Sequence, residues 1–485
     1  MNWWLLRRRP HISWLIAILC LAVLVGVFLA QYSQPSMFAS FVWCVVGLLL
    51  ILTALWSRYI YLIPLLVIGG MLVGLWRGSV QKVELTDVQR LYGSTAAISG
   101  NVREDVDSDS AGQLVIRLDN LTIEKRSIRG TLWATARGNV DIKRGDIIRL
   151  EGKINEGFGS FAATMYRANV LQVSRPQPGD VARVVRDWFA DAVRQAIPNP
   201  EASLGIGYLV GQKRALPPDL VEALKIAGLT HVVVASGYNL TILVRLARRL
   251  FEKVSKYLSA LSACVMIASF IAITGMSPSM SRAGLVAGLS LAAWYYGRRF
   301  HPIVLLSFAA AVTVLINPSY VWGDLGWQLS FTAFAGVMIL APLLQHFFFG
   351  DKKPGMIRQI LGETLSALIA TAPVLIYSFG QFSNVALIAN LLVLPLVPFA
   401  MLLTFIAGVG ALLFPAFASA VGLPATWLLG YMVQVAEYFS NLPWAVSEVQ
   451  LSSLGLVFFY AGLIGLCIVL GRVTGYNLRN SNIIE

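Results

Sequence analysis

Four stretches of this sequence hold side chains that could do chemistry, and all four lie in or beside apolar runs. GLTHVVVASGYNLTIL (Gly228–Leu243) carries His231, Ser236, Asn239 and Thr241. GMSPSMSRAGL (Gly275–Leu285) breaks at Pro278 and then presents Arg282. INPSYVWGDLGWQLSF (Ile316–Phe331) holds Asp324 and Gln328, and SFGQFSNVALIANLLVLPLVP (Ser378–Pro398) holds Gln381, Asn384 and Asn390 with Pro395 and Pro398. These are hydrogen-bonding groups and single charges, not a nucleophile with its base. His11, His231, His301 and His346 are far apart, with no HxH or HExxH spacing for a metal. Cys20, Cys44, Cys264 and Cys467 lack a CxxC partner, and no GxxxxGK[ST] loop exists for a nucleotide. The chemistry that remains is the solvation of a polar or charged solute at membrane depth. No catalytic residue, metal or cofactor is expected.

Polar side chains in membrane helices are costly and normally face a cavity or a partner. Non-helical backbone survives there only when buried in protein or lining water, so Gly-, Pro- and Asn-rich breaks point to a translocation pathway. Each segment also has a plainer reading, as a loop end, a helix cap or an interhelical hydrogen bond. For Ser236 and Thr241 taken singly, the plainer reading is preferred. Asp324 suits a helix start or a pairing with Arg282, Arg282 a charge near the headgroups, and His231 a wall or packing position.

The elements that must position these residues follow from hydropathy. Of 485 residues, 57% are hydrophobic and only 13% charged, well outside the range of soluble domains. Apolar runs of about 20 residues recur, long enough to cross a bilayer. The formal charge of +13 gathers in clusters between the runs (Arg7-Arg8-Arg9, Arg245/Arg248/Arg249/Lys253/Lys256, Arg298-Arg299, Lys352-Lys353/Arg358). That is the pattern of cytoplasmic loops, so charge alone does not indicate a nucleic-acid partner.

Residues 1–83 read as three transmembrane helices (12–31, 38–57, 59–77) with the N-terminus inside. Residues 84–176 then fall outside and alternate as short strands: TAAISGNVRE, GQLVIRLDNLTIE, RGTLWATARGN, GDIIRLEGKINEG and ANVLQVS. Five strands suit a small Greek-key barrel of OB type. Trp133, Phe158, Phe161 and Tyr166 could stack bases there, or pack the barrel core. This region carries 13 Lys/Arg against 12 Asp/Glu, so its net charge is close to zero. Within 177–230, VARVVRDWFADAVRQA has an apolar stripe suited to the membrane interface or to docking on a bundle. Residues 231–471 supply further crossings, with 385–413 long enough to be a broken pair, and 472–485 form a cytoplasmic tail. The expected fold is therefore a polytopic all-α membrane protein of about twelve helices, with an inserted extracytoplasmic β-barrel.

GLTHVVVASGYNL resembles the signature of the ComEC-type competence DNA channels through Gly228, Leu229, Thr230, His231, Ser236 and Gly237. PSMSRAG matches the family's P-S-x-x-R-A phrase through Pro278, Ser279, Arg282 and Ala283. NPSYVWGDLGWQLSF matches N-P-x-x-x-x-D-x-G-F-Q-L-S-F through Asn317, Pro318, Asp324, Gly326, Gln328, Leu329 and Ser330, and ANLLVLPLVP supplies Asn390 and Pro395. The resemblance implies a channel or permease for single-stranded DNA in the bacterial cytoplasmic membrane, acting in natural transformation. It also implies contact with membrane lipids, a separate DNA receptor and a helicase-like cytoplasmic motor. His231, Ser236, Asn239, Arg282, Asp324, Gln328 and Asn390 are then the pathway and motif residues. Asn239 stands where the family often has a second His. With no HxHxDH motif, the strand-degrading activity of the family's metallo-β-lactamase-like domain is expected from a separate nuclease. A permease for another polar or anionic solute, and a non-transporting anchor for a DNA receptor, are the alternatives.

Overall fold

The computed structural model describes residues 10–108, 113–123, 126–137, 140–212, 216–233, 237–275, 278–297, 301–350 and 355–476. In chain order the helices α1 (Ile12–Ala30), α2 (Phe41–Ser57) and α3 (Ile63–Gln89) precede five barrel strands, β1 (Thr95–Val102), β2 (Leu114–Ile123), β3 (Leu132–Ala136), β4 (Ile147–Glu156) and β5 (Ala163–Ser174). Then come α4 (Val181–Ala196), α5 (Glu201–Val210), α6 (Gly237–Phe251), α7 (Lys256–Thr274), α8 (Pro278–Tyr295) and α9 (Pro302–Ile316). The chain continues through α10 (Leu325–Ala335), α11 (Met356–Phe379), α12 (Ala386–Val393), α13 (Val397–Leu413), α14 (Ala418–Ser440) and α15 (Ser453–Thr474). Among the described residues, 8 helical spans are long and apolar enough to cross a membrane. The expectation of about twelve also counted α2, α6, α8 and α9, which are shorter or less apolar than those 8. The long run over 385–413 breaks as expected: Pro395 interrupts the backbone ladder, leaving a 3-10 turn between α12 and α13.

The chain divides into two compact units, Met1–Gly179 with Phe300–Gln328, and Asp180–Arg299 with Leu329–Glu485. In the first unit α1 packs on α3 through small residues. Gly70, Gly74 and Gly78 recur one turn apart on α3 and meet Ala22, Val23 and Ala30 of α1. Close approach of backbones supplies the dispersion contacts that lipid cannot displace. A Cβ on Gly74 would lie 2.3 Å from the Val23 carbonyl oxygen, whereas Gly462 on α15 faces open space. Gly74→Leu is therefore expected to separate α1 from α3 and to lower thermal stability in detergent sharply. Gly462→Leu, the control in the same melting experiment, should leave stability unchanged.

The third helix is longer than the expected 59–77, because its polar end (Arg77, Gln81, Lys82) stays helical as it leaves the apolar run. Its last turns bring Leu85 and Val88 against the barrel core. The five strands close in the order β1–β4–β5–β3–β2 and back to β1, with β3–β5 the single parallel pairing. Alternation along each strand sends Ile98, Ile116, Leu118, Leu132, Ile148, Leu150, Ile154 and Met165 inward, where all are buried.

The second unit is helical. A large core joins α4, α5, α13 and α14 through Ala, Leu and Val side chains, and a smaller one joins α6, α7 and α8. The amphipathic segment α4 docks on the bundle and leaves one apolar flank exposed. Phe189 stacks on Phe405 at 5.9 Å and Ala192, Val193 and Ala196 are buried, while Val181, Val184, Val185 and Trp188 stay exposed. Its charges do not simply face outward, however. Arg183 and Arg186 are buried, and the Arg186 guanidinium donates to Asp187 Oδ1 at 2.8 Å. One apolar face turned outward forces that inversion, since the bundle then takes the flank bearing the arginines.

Candidate functional site

In the first unit the structure gathers aromatics from β3, β5 and the loop between β4 and β5. Phe161 meets Phe158 at 5.6 Å, Phe158 meets Trp133 at 5.4 Å, and Trp133 meets Tyr166 at 5.6 Å, each edge to face. None of the four belongs to the barrel core. Phe158 and Tyr166 are exposed, and the exposed cations Lys153 and Arg167 come from the same strands, β4 and β5. The outward alternation of β3 and β5 explains this: Leu132 and Ala134 point inward, so Trp133 points out. A row of rings flanked by cations can hold unpaired bases by their faces and the sugar–phosphate chain by charge. Half-buried on β2, Asp119 has its pKa raised from the ordinary carboxylate value, because partial burial opposes its charge while Arg103 partly restores it.

The NPSYVWGD phrase forms a joint with this barrel. Arg77 of α3 donates from Nε to the Leu315 carbonyl at 2.8 Å and from Nη2 to the Ile316 carbonyl at 2.9 Å. Gln81 Nε2 donates to Asn317 Oδ1 at 3.0 Å and to Ser319 Oγ at 2.6 Å. Arg103 of the barrel hydrogen-bonds the Tyr320 side chain. At the centre two glycines touch backbone to backbone, so a Cβ on Gly323 would lie 2.1 Å from the Gly159 carbonyl oxygen. Asp324 then ends the turn and starts α10: its Oδ1 accepts from the Trp327 N–H. Gln328 Nε2 donates to the Val321 carbonyl at 2.9 Å, and Trp327 Nε1 donates to Thr313 Oγ1 at 2.9 Å. Asp324 thus acts as a cap, by the mechanism of side-chain acceptors at helix N-termini.

In the second unit the opening signature divides. Thr230–Val233 is a short helix in which His231 is exposed, with its ring N–H donating to the Gly228 carbonyl. Ser236 lies outside the described residues. Asn239 is fully buried on α6, and its amide donates to the Tyr208 carbonyl of α5 at 3.1 Å, tying two helices together. Thr241 Oγ1 returns to the Gly237 carbonyl at 2.8 Å. Gly228 has φ +70, and a Cβ there would lie 2.5 Å from the Ala386 Cβ, so the signature turn packs directly on α12. Ser383 Oγ reinforces that contact by donating to the Ile226 carbonyl at 2.7 Å.

Arg282, in the first turns of α8, is 2% exposed, and its guanidinium carbon lies 5.6 Å from the centroid of Phe331. Asn390 on α12 is fully buried, and neither atom of its side-chain amide has a hydrogen-bond partner among the described residues. An enclosed amide in that condition costs about 1–3 kcal/mol, which water or a polar solute would relieve. Among the described residues, no three His, Cys, Asp or Glu side chains cluster as metal ligands would.

The structure therefore joins the four aromatics into one row and closes Asp324 and Gln328 around a single turn. Gln81, Arg77 and Gly159 are site residues that sequence reasoning missed. Their signal was the polar run at the end of the third helix, which hydropathy treats only as a place where a crossing stops.

These features define a class: a multi-pass membrane protein with a small closed β-barrel inserted after its third helix. A model of the Competence protein family matches residues 208–473, and the chain belongs to that family. It is 25% identical over 218 residues to ComE operon protein 3 of Bacillus subtilis (strain 168), a match that covers 43% of this chain and 27% of that protein. The match thus takes in only about a quarter of the relative's length. No solved structure matches the chain.

Proposed function

We propose that this protein conducts single-stranded DNA across the bacterial cytoplasmic membrane during natural transformation. The observation that carries the reading is the row Tyr166–Trp133–Phe158–Phe161 outside the barrel core of a competence-family chain, with Tyr166 and Phe158 exposed. Such a row receives a strand without reading its sequence, because every base has a π-face. The strand order and the single parallel pair support an OB-type barrel, an architecture that presents oligonucleotides on one face. The barrel is then extracytoplasmic and both termini cytoplasmic. A separate receptor delivers DNA, a helicase-like motor draws it in, and a separate nuclease removes the other strand.

In the second unit Arg282, His231 and Asn390 line the polar path and Asn239 holds helices beside it, while in the first unit Asp324 and Gln328 hold the NPSYVWGD turn. A strand carries one phosphate per nucleotide and needs hydrated, cationic or hydrogen-bonding walls. Trp133→Ala with Tyr166→Ala in the full-length protein tests the reading. Affinity for single strands should fall at least tenfold, since each stacked base contributes about 1–3 kcal/mol, and transformation frequency should fall with it. Binding and transformation at wild-type levels would refute the role of the row.

A further inference from the structure

The row of aromatics ends at a cavity. Phe161, its last ring, also forms a wall of a partly open cavity of about 220 Å³ within the first unit. The cavity lies between the outer turns of α3, the Gly130–Thr131 and Gly159–Ala162 segments of the barrel, and the Asn317–Trp322 turn. Its surfaces are of two kinds. Phe161 and Trp322 supply aromatic faces, and Gln81, Thr131, Asn317 and Ser319 supply uncharged donors and acceptors.

We propose that this cavity captures a single unstacked base of the incoming strand, a nucleobase site at the joint between barrel and membrane helices. This rests on the reading of the chain as a pathway for single-stranded DNA. Chemistry selects the base over the phosphate. The one charged residue in the wall is Lys82, and its ammonium is already held by the Gln31 and Ser33 carbonyls at 2.6 and 3.3 Å. Among the described residues the lining offers no other cation to a phosphate, whereas amides and hydroxyls match the polar edge of a base and aromatic faces its plane. Size agrees as well: a cavity of about 150 Å³ holds benzene, so 220 Å³ admits a larger ring. Bases lying along Tyr166, Trp133 and Phe158 would lead to Phe161, and the next base would turn into the cavity. Neutral amide and hydroxyl walls accept any of the four bases, as uptake of arbitrary sequence requires.

The test uses the full-length protein in lipid nanodiscs and two strands of equal length, one of thymidylate and one of abasic sugar–phosphate. The thymidylate strand should bind at least tenfold more tightly. A strand carrying 2-aminopurine should lose fluorescence on binding, through contact with Phe161 and Trp322. Leu85→Trp, which fills the cavity from α3, and Phe161→Ala should each weaken thymidylate binding about tenfold and leave the weak abasic binding unchanged. Equal affinity of the wild-type protein for the two strands would overturn the proposal without reference to any variant's folding. Retention of wild-type thymidylate affinity by both variants would also overturn it, and a co-purified lipid displaced only in Leu85→Trp would assign the cavity to that lipid. In each of those results the strand still binds, so the pathway reading stands. Failure of the wild-type protein to bind either strand would overturn both.

Discussion

Arg282→Ala is expected to reduce transformation frequency by at least 100-fold while the protein still inserts and accumulates at wild-type levels. Arg282 is 2% exposed at the start of α8, a helix of the second unit. Its guanidinium carbon lies 5.6 Å from the centroid of the Phe331 ring, close enough for the ring face to attract the cation. Holding a charge in such a place costs several kcal/mol, and a residue kept at that cost is expected to serve a function. Loss of about 3 kcal/mol of phosphate attraction corresponds to roughly 100-fold in affinity. Arg282→Lys should fall between, since the ammonium keeps the charge but loses the planar fork that grips phosphate oxygens. Normal transformation by Arg282→Ala would remove Arg282 from the pathway. If the barrel still bound single strands in that case, the protein would be a receptor anchor and not a conduit.

The second large effect concerns stability. Gly323→Ala places a Cβ 2.1 Å from the Gly159 carbonyl oxygen, a contact no real structure tolerates, so the joint between the barrel and the NPSYVWGD turn must open. Backbone shifts of that kind cost about 1–3 kcal/mol or more, and an apparent melting temperature lower by roughly 5 °C is expected. Gly159→Ala meets the Gly323 carbonyl oxygen at 2.7 Å and also strains a residue at φ +63. The double variant should be little worse than Gly323→Ala alone, because once the joint is open the second clash has no partner. Additive losses would show that the glycines act separately. Arg77 and Gln81 would still bridge to residues 315–319 in the single variants, so the barrel should remain folded and cleavage by protease should increase first at the joint.

Much of this was legible from sequence because it is local. Hydropathy located the 8 helical spans long and apolar enough to cross a membrane, since a helix in lipid must satisfy its own backbone and so must be continuous and apolar. Strand positions from Thr95 to Ser174 could be read because alternation and turn residues act over a few neighbours. The extended α3 was not legible, because nothing in hydropathy says that a helix continues beyond its apolar part. What keeps it helical is distant: Arg77 and Gln81 find their partners more than 230 positions away, at 315–319.

The sequence by itself determined the class of protein, the order of its elements and the polar residues set within its apolar runs. It could not decide between stacking and core roles for Trp133, Phe158, Phe161 and Tyr166. The closed strand order β1–β4–β5–β3–β2 excluded the core role, by turning Trp133 of β3 and Tyr166 of β5 outward, where they meet Phe158 and Phe161 of the β4–β5 loop. Nor could it say that Asn239 fastens two helices while the enclosed Asn390 amide has no hydrogen-bond partner among the described residues, since the two lie in similar apolar runs. Burial and hydrogen-bond partners are properties of pairs brought together from distant parts of the chain, and only the packing of those parts specifies them.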